Sequence, residues 1–205
     1  TVDVVATPRP YAGDDVDLAP ADTDRPPLDA VFAENVDEPA IGALQVSLDG
    51  RQVLASFVLE NAVDAALMRR IDSGLPSGFT YDLRLVVPRR RWFNRTVVRS
   101  AIQVTAMYNA VTREYLINIK HDGTLVESRV VRAWDALVDA LTRFEAMPVV
   151  MLPETADPAT RYRLRVRAQL GAGTTWYVIP TTETTDWAAS MPLRLDAEPR
   201  IAPAP

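Results

Sequence analysis

The chain has 205 residues, of which 48% are hydrophobic and 24% charged, and its net charge at pH 7 is -5. These proportions are those of an ordinary globular protein with room for one sizeable domain or two small ones. The sequence contains no cysteine, which excludes disulfide bonds and cysteine-bound zinc. No apolar run approaches the roughly 18 residues that span a bilayer as a helix.

The charge is distributed unevenly along the chain. Residues 1–40 carry ten acidic and two basic side chains, whereas residues 41–205 carry seventeen acidic and twenty basic ones. Every cation except Lys120 is an arginine. A mildly basic body behind an acidic segment does not look like a nucleic-acid-binding protein. The first residue is Thr1 rather than Met, which favours an exported protein whose signal has been removed.

Residues 1–40 are predicted to form an extended arm rather than a domain. The segment holds six prolines and a run of aspartates, and it buries too little apolar surface to offset the entropy lost on ordering. We expect it to lie along a partner protein or, alternatively, along its own domain. Its apolar side chains would be the anchors, chiefly Tyr11, Leu18, Val31 and Phe32.

The body begins with a predicted hairpin and a short helix. Leu44, Val46 and Leu48 alternate with polar residues up to Asp49-Gly50, a strong turn signal, and the alternation resumes from Val53 to Leu59. A helix is expected after Asn61, with Asn61 as its cap and Asp64 as the capping-box partner.

A central meander of three strands is predicted between Phe79 and Lys120. The second strand is long, so it is expected to bend or to cross between sheets. A turn at His121–Gly123 then leads to a short return strand, Leu125–Val126. The three strands of the meander are Tyr81–Val87, Thr96–Tyr108 and Tyr115–Ile119.

A second helix is predicted from Ser128, its cap, to Pro148, which closes it. The apolar residues of this segment recur at the spacing of one helical stripe. They are Val130, Trp134, Leu137, Leu141 and Phe144. The remaining predicted strands are Val149–Leu152, Tyr162–Ala168 and Trp176–Ile179.

Taken together, the elements predict a mainly β protein. Residues 41–180 are expected to form an antiparallel β-sandwich whose ends are closed by the two short helices. An immunoglobulin-like arrangement and a subdivision near residue 150 are both open at this point. Residues 181–205 are predicted to be a loop and a proline-rich tail.

Several of these features together resemble a family of small exported bacterial proteins, a domain of unknown function of the DUF4390 type. The resemblance covers about Val53 to Gly171. It rests on Gly74-Leu75-Pro76 after the first helix, on the hairpin between Tyr108 and Tyr115, and on the motif Trp-x-x-Arg-Thr, intact here from Trp92 to Thr96. The resemblance implies export to the periplasm and supplies no known activity.

The segment between the first two strands of the meander is one candidate binding surface. Arginines beside aromatic side chains on a loop would suit a lipid headgroup layer or an acidic, aromatic-lined partner. The alternative is that Trp92 folds into the core and the arginines are solvated. The residues concerned are Arg89, Arg90, Arg91, Trp92, Phe93 and Arg95.

A ladder of arginines is the second candidate. Arg161, Arg163, Arg165 and Arg167 alternate with other residues, so a strand would place all four guanidinium groups on one face of its sheet. The ladder would bind an anionic partner or the acidic arm of its own chain. A solvated outer face with acidic cross-strand neighbours is the alternative.

No catalytic constellation is evident. His121 is the only histidine, no Gly-x-Ser-x-Gly elbow or glycine-rich phosphate loop is present, and no carboxylates are paired at a telling spacing. We therefore predict no catalytic, cofactor-binding or metal-binding residues.

The function that fits these features best is that of a non-catalytic extracytoplasmic accessory or scaffold subunit. It would dock on a larger membrane-embedded complex, of the respiratory or photosynthetic type for example, and bridge subunits with its arms. Protein subunits are the expected partners, lipid headgroups a further contact, and the location periplasmic and peripheral to the membrane. The alternatives are a free periplasmic module that binds a ligand or peptide, linked to sensing, and a hydrolase with an unrecognised site.

Overall fold

The structure, a computed structural model, describes residues 37–89, 94–171 and 183–194. Within these ranges the chain forms nine strands and two helices. In chain order they are β1 (Ala40–Asp49), β2 (Gln52–Glu60), α1 (Ala65–Asp72), β3 (Ser77–Val87), β4 (Arg95–Asn109), β5 (Glu114–His121), β6 (Thr124–Val131), α2 (Trp134–Thr142), β7 (Arg143–Met151), β8 (Arg163–Leu170) and β9 (Ala188–Ala189).

The strands form two antiparallel sheets that pack face to face, which confirms the mainly β prediction. The smaller sheet has the order β1-β2-β7, and the larger has the order β6-β5-β4-β3-β8-β9. Strands β3 to β6 lie side by side in chain order, so the predicted meander is confirmed. The division into three and six strands differs from that of an immunoglobulin domain of the constant type, which has four strands in one sheet and three in the other.

The core lies between the two sheets. Alternation along each strand turns one face inward, so Phe57 of β2, Tyr81 of β3 and Phe144 of β7 meet with ring centroids 4.7 to 5.4 Å apart. The Tyr81 hydroxyl donates a hydrogen bond to the Leu141 carbonyl oxygen at 2.7 Å. Burial raises the pKa of Tyr81 well above its usual value. One hydrophobic cluster joins both sheets and both helices.

Two tight turns lie where the sequence predicts them. Gly50, between β1 and β2, has a φ of 57°, a conformation that glycine adopts without steric cost. Asp122 and Gly123, between β5 and β6, have φ values of 48° and 83°. Two consecutive residues with positive φ form a type I′ turn, whose twist matches that of the strands it joins.

The longest strand, β4, has 15 residues and stays within the larger sheet, between β3 and β5. It does not cross to the other sheet. Its register against β3 shifts by one residue, because Leu85 faces Val98 whereas Val86 faces Thr96. The extra residue is accommodated as a β-bulge, which lets a long strand follow a twisted sheet.

The first helix begins later than predicted. The N-cap of α1 is Asp64, whose side chain accepts a hydrogen bond from the Leu67 amide at 2.6 Å. The prediction that Asn61 caps the helix is therefore wrong. Asn61 has a φ of 56° directly after β2, whereas a cap requires the extended backbone that Asp64 provides.

The second helix is shorter than predicted, because the preceding strand is longer. β6 runs to Val131, and Ser128 lies within it opposite Asn118 instead of capping a helix. α2 begins at Trp134 and ends at Thr142. Pairing with β5 across the tight turn outweighs the helical spacing of the apolar residues.

Phe144 and Pro148 belong to β7, not to the second helix as predicted. β7 has nine residues, so it is also longer than the brief strand Val149–Leu152. Phe144 still faces the core and is 6% exposed. β7 is an edge strand, and an edge tolerates proline because one side of its backbone has no strand to pair with.

The predicted strand Trp176–Ile179 and residues 1–36 of the predicted arm lie outside the described residues. Residues 183–194 are described and run along β8, ending near Tyr162. In the described part of the chain, neither helix has the length and hydropathy that a membrane crossing requires.

Candidate binding surface

The outer face of the larger sheet carries a cluster of arginines. On the central strand β3, Arg84 lies directly opposite Arg99 of β4 on one side and Arg165 of β8 on the other. Alternation along β8 places two more arginines on the same face. We call this set the arginine face, and it consists of Arg84, Arg99, Arg163, Arg165 and Arg167.

The arginine face has little neutralising charge. Arg167 forms a salt bridge with Asp82 at 2.9 Å, and the Gln169 amide donates to the same carboxylate oxygen at 3.0 Å. Among the described residues, no carboxylate lies within salt-bridge distance of Arg84, Arg99 or Arg165. Like charges directly opposite each other in a sheet are destabilising. The row formed by Arg84, Arg99 and Arg165 therefore disfavours folding slightly, and its guanidinium groups are available to bind anions.

Trp187 packs against three of these arginines. The guanidinium carbons of Arg84, Arg165 and Arg167 lie 4.5, 5.0 and 4.8 Å from the centroid of its ring. A cation within about 6 Å of an aromatic ring is attracted by the electron density of its face. This attraction holds the arginines in position, but it leaves their net positive charge unchanged.

Trp187 lies on a segment, residues 183–193, that runs antiparallel to β8. Its backbone pairs with β8 through the two residues of β9 and through single bridges of Thr184 to Gln169 and of Leu193 to Tyr162. On either side, hydroxyl groups take the place of backbone carbonyls: Thr185 Oγ1 accepts from the Ala168 amide at 3.0 Å, and Ser190 Oγ accepts from the Leu164 amide at 3.1 Å. Both hydroxyl-bearing residues are buried. The short pairing is thereby extended enough to place Trp187 over the arginines.

The structure places most of the predicted ladder on one face. Arg163, Arg165 and Arg167 share the outer face of β8, and Arg161 precedes the strand in an exposed position. Arg167 has the acidic cross-strand neighbour that the alternative expected, Asp82, but Arg165 faces another arginine, Arg84.

Sequence reasoning missed three members of the site, Arg84, Arg99 and Trp187. The alternation in β3 and β4 was a signal that Arg84 and Arg99 face outward. Nothing local indicated that they stand opposite each other, because strand register depends on residues far apart in the chain.

The other predicted surface is described only at its two ends. Arg89 and Arg95 are exposed, and with Asp157 they line a depression of about 380 Å³. The rest of that surface and the predicted anchors of the arm lie outside the described residues, so those interpretations stay predictions. These residues are Arg90, Arg91, Trp92, Phe93, Tyr11, Leu18, Val31 and Phe32.

His121 takes part in a hydrogen-bond network that sequence reasoning did not anticipate. Its Nε2 atom lies 2.6 Å from Ser100 Oγ and 3.1 Å from the Val149 carbonyl oxygen. A carbonyl only accepts, so the second contact is a hydrogen bond when Nε2 carries the proton, and such a nitrogen cannot deprotonate Ser100. Asp122 lies 3.8 Å from the same Nε2, whereas a catalytic triad places its carboxylate at Nδ1. This geometry ties β5 to β7.

A cleft of about 790 Å³, which His121 helps to line, opens between β6, α2 and β7. Its apolar lining includes Ile119, Val131 and Met147, and Glu127 and Arg143 add charge. The volume is within the range of sites for small ligands. In the part of the chain that the structure describes, no group of three acidic or histidine side chains is placed to hold a metal ion.

Comparison with known proteins gives a family for this fold. A family model described as Domain of unknown function (DUF4390) matches residues 36–175, more than half of the chain. The chain belongs to this family. The match contains the predicted stretch of about 53–171, and the DUF4390 domain comprises β1 to β8 with all five arginines of the arginine face. It leaves out residues 1–35 and the segment that carries Trp187. No curated protein and no solved structure matches the chain.

Proposed function

We propose that this DUF4390 protein is a non-catalytic accessory subunit that docks on an acidic surface of a larger membrane complex through its arginine face. In this proposal it works in the periplasm, peripheral to the membrane, and its terminal arms contact neighbouring subunits. The row Arg99–Arg84–Arg165 is the observation that supports the docking surface.

The row of three arginines is electrostatically unfavourable in the free protein. Three aligned guanidinium groups repel one another, and Asp82, the acidic side chain among them, is already bonded to Arg167 and Gln169. A partner that supplies carboxylates replaces this repulsion with charge-assisted hydrogen bonds, for which the planar guanidinium is well suited. Surface charge of one sign also speeds the encounter with a partner of opposite charge.

Two features of the sequence support the location and the arms. A chain without cysteine suits an oxidising compartment such as the periplasm. The proline-rich composition of residues 1–40 suits an extended segment that gains order on a partner.

Affinity purification from native membranes tests the proposal. The tagged wild-type protein is compared with an Arg84→Gln/Arg165→Gln variant, which removes two adjacent charges from the arginine face. The matched control is Arg70→Gln/Arg113→Gln, because both of these arginines are exposed and lie outside that face. We expect the wild type and the control to retain the same membrane subunits, released by salt, and the face variant to lose them. Equal recovery with both variants refutes docking through this face.

The cleft between β6, α2 and β7 supports a second candidate function, that of a free periplasmic module that binds a ligand or peptide. Ala136 is exposed on α2 and lines the cleft, so Ala136→Trp would fill it without touching the arginine face. If Ala136→Trp abolishes partner recovery while Arg84→Gln/Arg165→Gln preserves it, the cleft is the binding site. The opposite pattern excludes it.

A further inference from the structure

The described chain begins near the segment that carries Trp187. Glu38 and Pro39 line a depression of about 520 Å³ that Asp186 and Trp187 also line. Trp187 in turn contacts Arg84 at 4.5 Å. The acidic arm therefore joins the body at a depression shared with Trp187, which contacts the arginine face.

Charge and length both allow the arm to reach that face. Residues 1–36 carry eight carboxylates and two arginines, and the face presents five guanidinium groups beside Asp82. Neighbouring strands are about 5 Å apart, whereas 36 extended residues span roughly 120 Å, so reach does not limit the contact. A tether of this kind holds its ligand at an effective concentration in the millimolar range.

We propose that residues 1–36 lie across the arginine face of their own chain in the free protein and are displaced when an acidic partner docks there. This inference rests on the proposed function only for the displacement step. The carboxylates nearest to the body supply the contact, and the displaced arm becomes available to neighbouring subunits. These carboxylates are Asp22, Asp24, Asp29 and Glu34.

The contact is electrostatic and therefore sensitive to salt. Exposed ion pairs contribute only about 0–1 kcal/mol each, so several must act together to hold the arm. The screening length falls from about 10 Å at 0.1 M salt to about 3 Å at 1 M. The arm is expected to cover the face at low ionic strength and to leave it at high ionic strength.

Paramagnetic relaxation in the full-length protein tests the contact. Because the chain has no cysteine, Ala30→Cys provides a single site for a nitroxide label. We expect the label to broaden the Trp187 indole signal and the Arg84 and Arg165 amide signals at low salt, and to spare the Val111 amide in the β4–β5 turn. The broadening should disappear in 1 M NaCl. Broadening that is equal at Val111, or absent from the arginine face, overturns the proposal.

A charge variant and a mixing experiment complete the test. Replacing the four nearest carboxylates by amides (Asp22→Asn, Asp24→Asn, Asp29→Asn and Glu34→Gln) should abolish the selective broadening. Spin-labelled protein without ¹⁵N is also mixed with ¹⁵N-enriched protein that carries no spin label. Broadening in that mixture means that the arm binds a second copy, which overturns the contact within one chain.

Titration with a deca-glutamate peptide separates this inference from the proposed function. If the arm covers the face nine tenths of the time, the four-amide variant should bind the peptide about tenfold more tightly than the wild type. Equal affinity overturns the displacement step. Loss of subunit recovery in Arg84→Gln/Arg165→Gln is measured separately, so the docking function and the arm contact can each fail alone.

Discussion

Substitution of Tyr81 by Phe tests how the core is held together. Tyr81 is fully buried, and its hydroxyl donates to the Leu141 carbonyl oxygen at 2.7 Å. Leu141 lies in the last turn of α2, where carbonyls have no partner within the helix. Tyr81→Phe keeps the ring among Phe57 and Phe144 but leaves this buried carbonyl unpaired. The expected loss in the free energy of unfolding is about 1–3 kcal/mol.

Urea denaturation measures this loss, and thermal unfolding provides a second reading. For a chain of this size each kcal/mol lowers the Tm by about 2–4 °C. Tyr108→Phe is the matched control, because the half-buried Tyr108 packs its ring against Tyr115 at 5.0 Å and its hydroxyl has no hydrogen bond in the described part of the chain. The control should be nearly neutral. If both variants lose the same amount of stability, the hydroxyl of Tyr81 does not contribute as argued.

Three further predictions concern the fold. Burial raises the pKa of Tyr81, so near pH 10 only the unfolded chain loses this proton. The free energy of unfolding of the wild type should therefore be intact below that pH and fall by about 1.4 kcal/mol per pH unit above it. In urea titrations, the free energy of unfolding of Tyr81→Phe should fall less steeply. Asp64→Ala removes the cap of α1 and should cost about 1 kcal/mol by the same assay, whereas Asp64→Asn, also a good cap, should cost much less. Gly78→Ala would place a methyl group against the Val104 carbonyl oxygen and should cost about 3 kcal/mol or more by thermal unfolding. Gly50→Ala, which has free space but a φ of 57°, should cost only about 1 kcal/mol.

The elements with a strong alternating pattern could be predicted from the sequence. β4 was predicted as a strand from Thr96 to Tyr108 and is one from Arg95 to Asn109, because its buried positions recur every second residue. The turn at Asp122–Gly123 was also predicted from a local pattern, because an Asp-Gly pair favours the positive φ values of a two-residue hairpin turn.

β6 could not be predicted in full, because it has no buried face. Seven of its eight residues are exposed, including Val130, which looked like part of a helical stripe. Only pairing with β5 makes this segment a strand. The start of β7 was missed because Arg143 follows Thr142 of α2 directly, without the glycine or proline that often marks the end of a helix.

Only the part of the candidate binding surface that lies on β8 could be predicted from the sequence. The period of the ladder on β8 was enough to place Arg163, Arg165 and Arg167 on one face. The rest of the surface depends on tertiary structure, because Arg84 is brought to Arg165 by strand pairing and Trp187 by hydroxyl bonds to β8. No local pattern encodes such contacts.

The two hydroxyl contacts have a consequence for binding energetics. Trp187 lies two residues after Thr185 and three before Ser190, and both of these are anchored on β8. Its ring also packs against Arg84, Arg165 and Arg167, so the indole is preorganised, with little torsional freedom left to lose on association. Immobilising a mobile side chain costs about 0.5–1.5 kcal/mol, and a partner that stacks on an already stationary ring avoids that penalty.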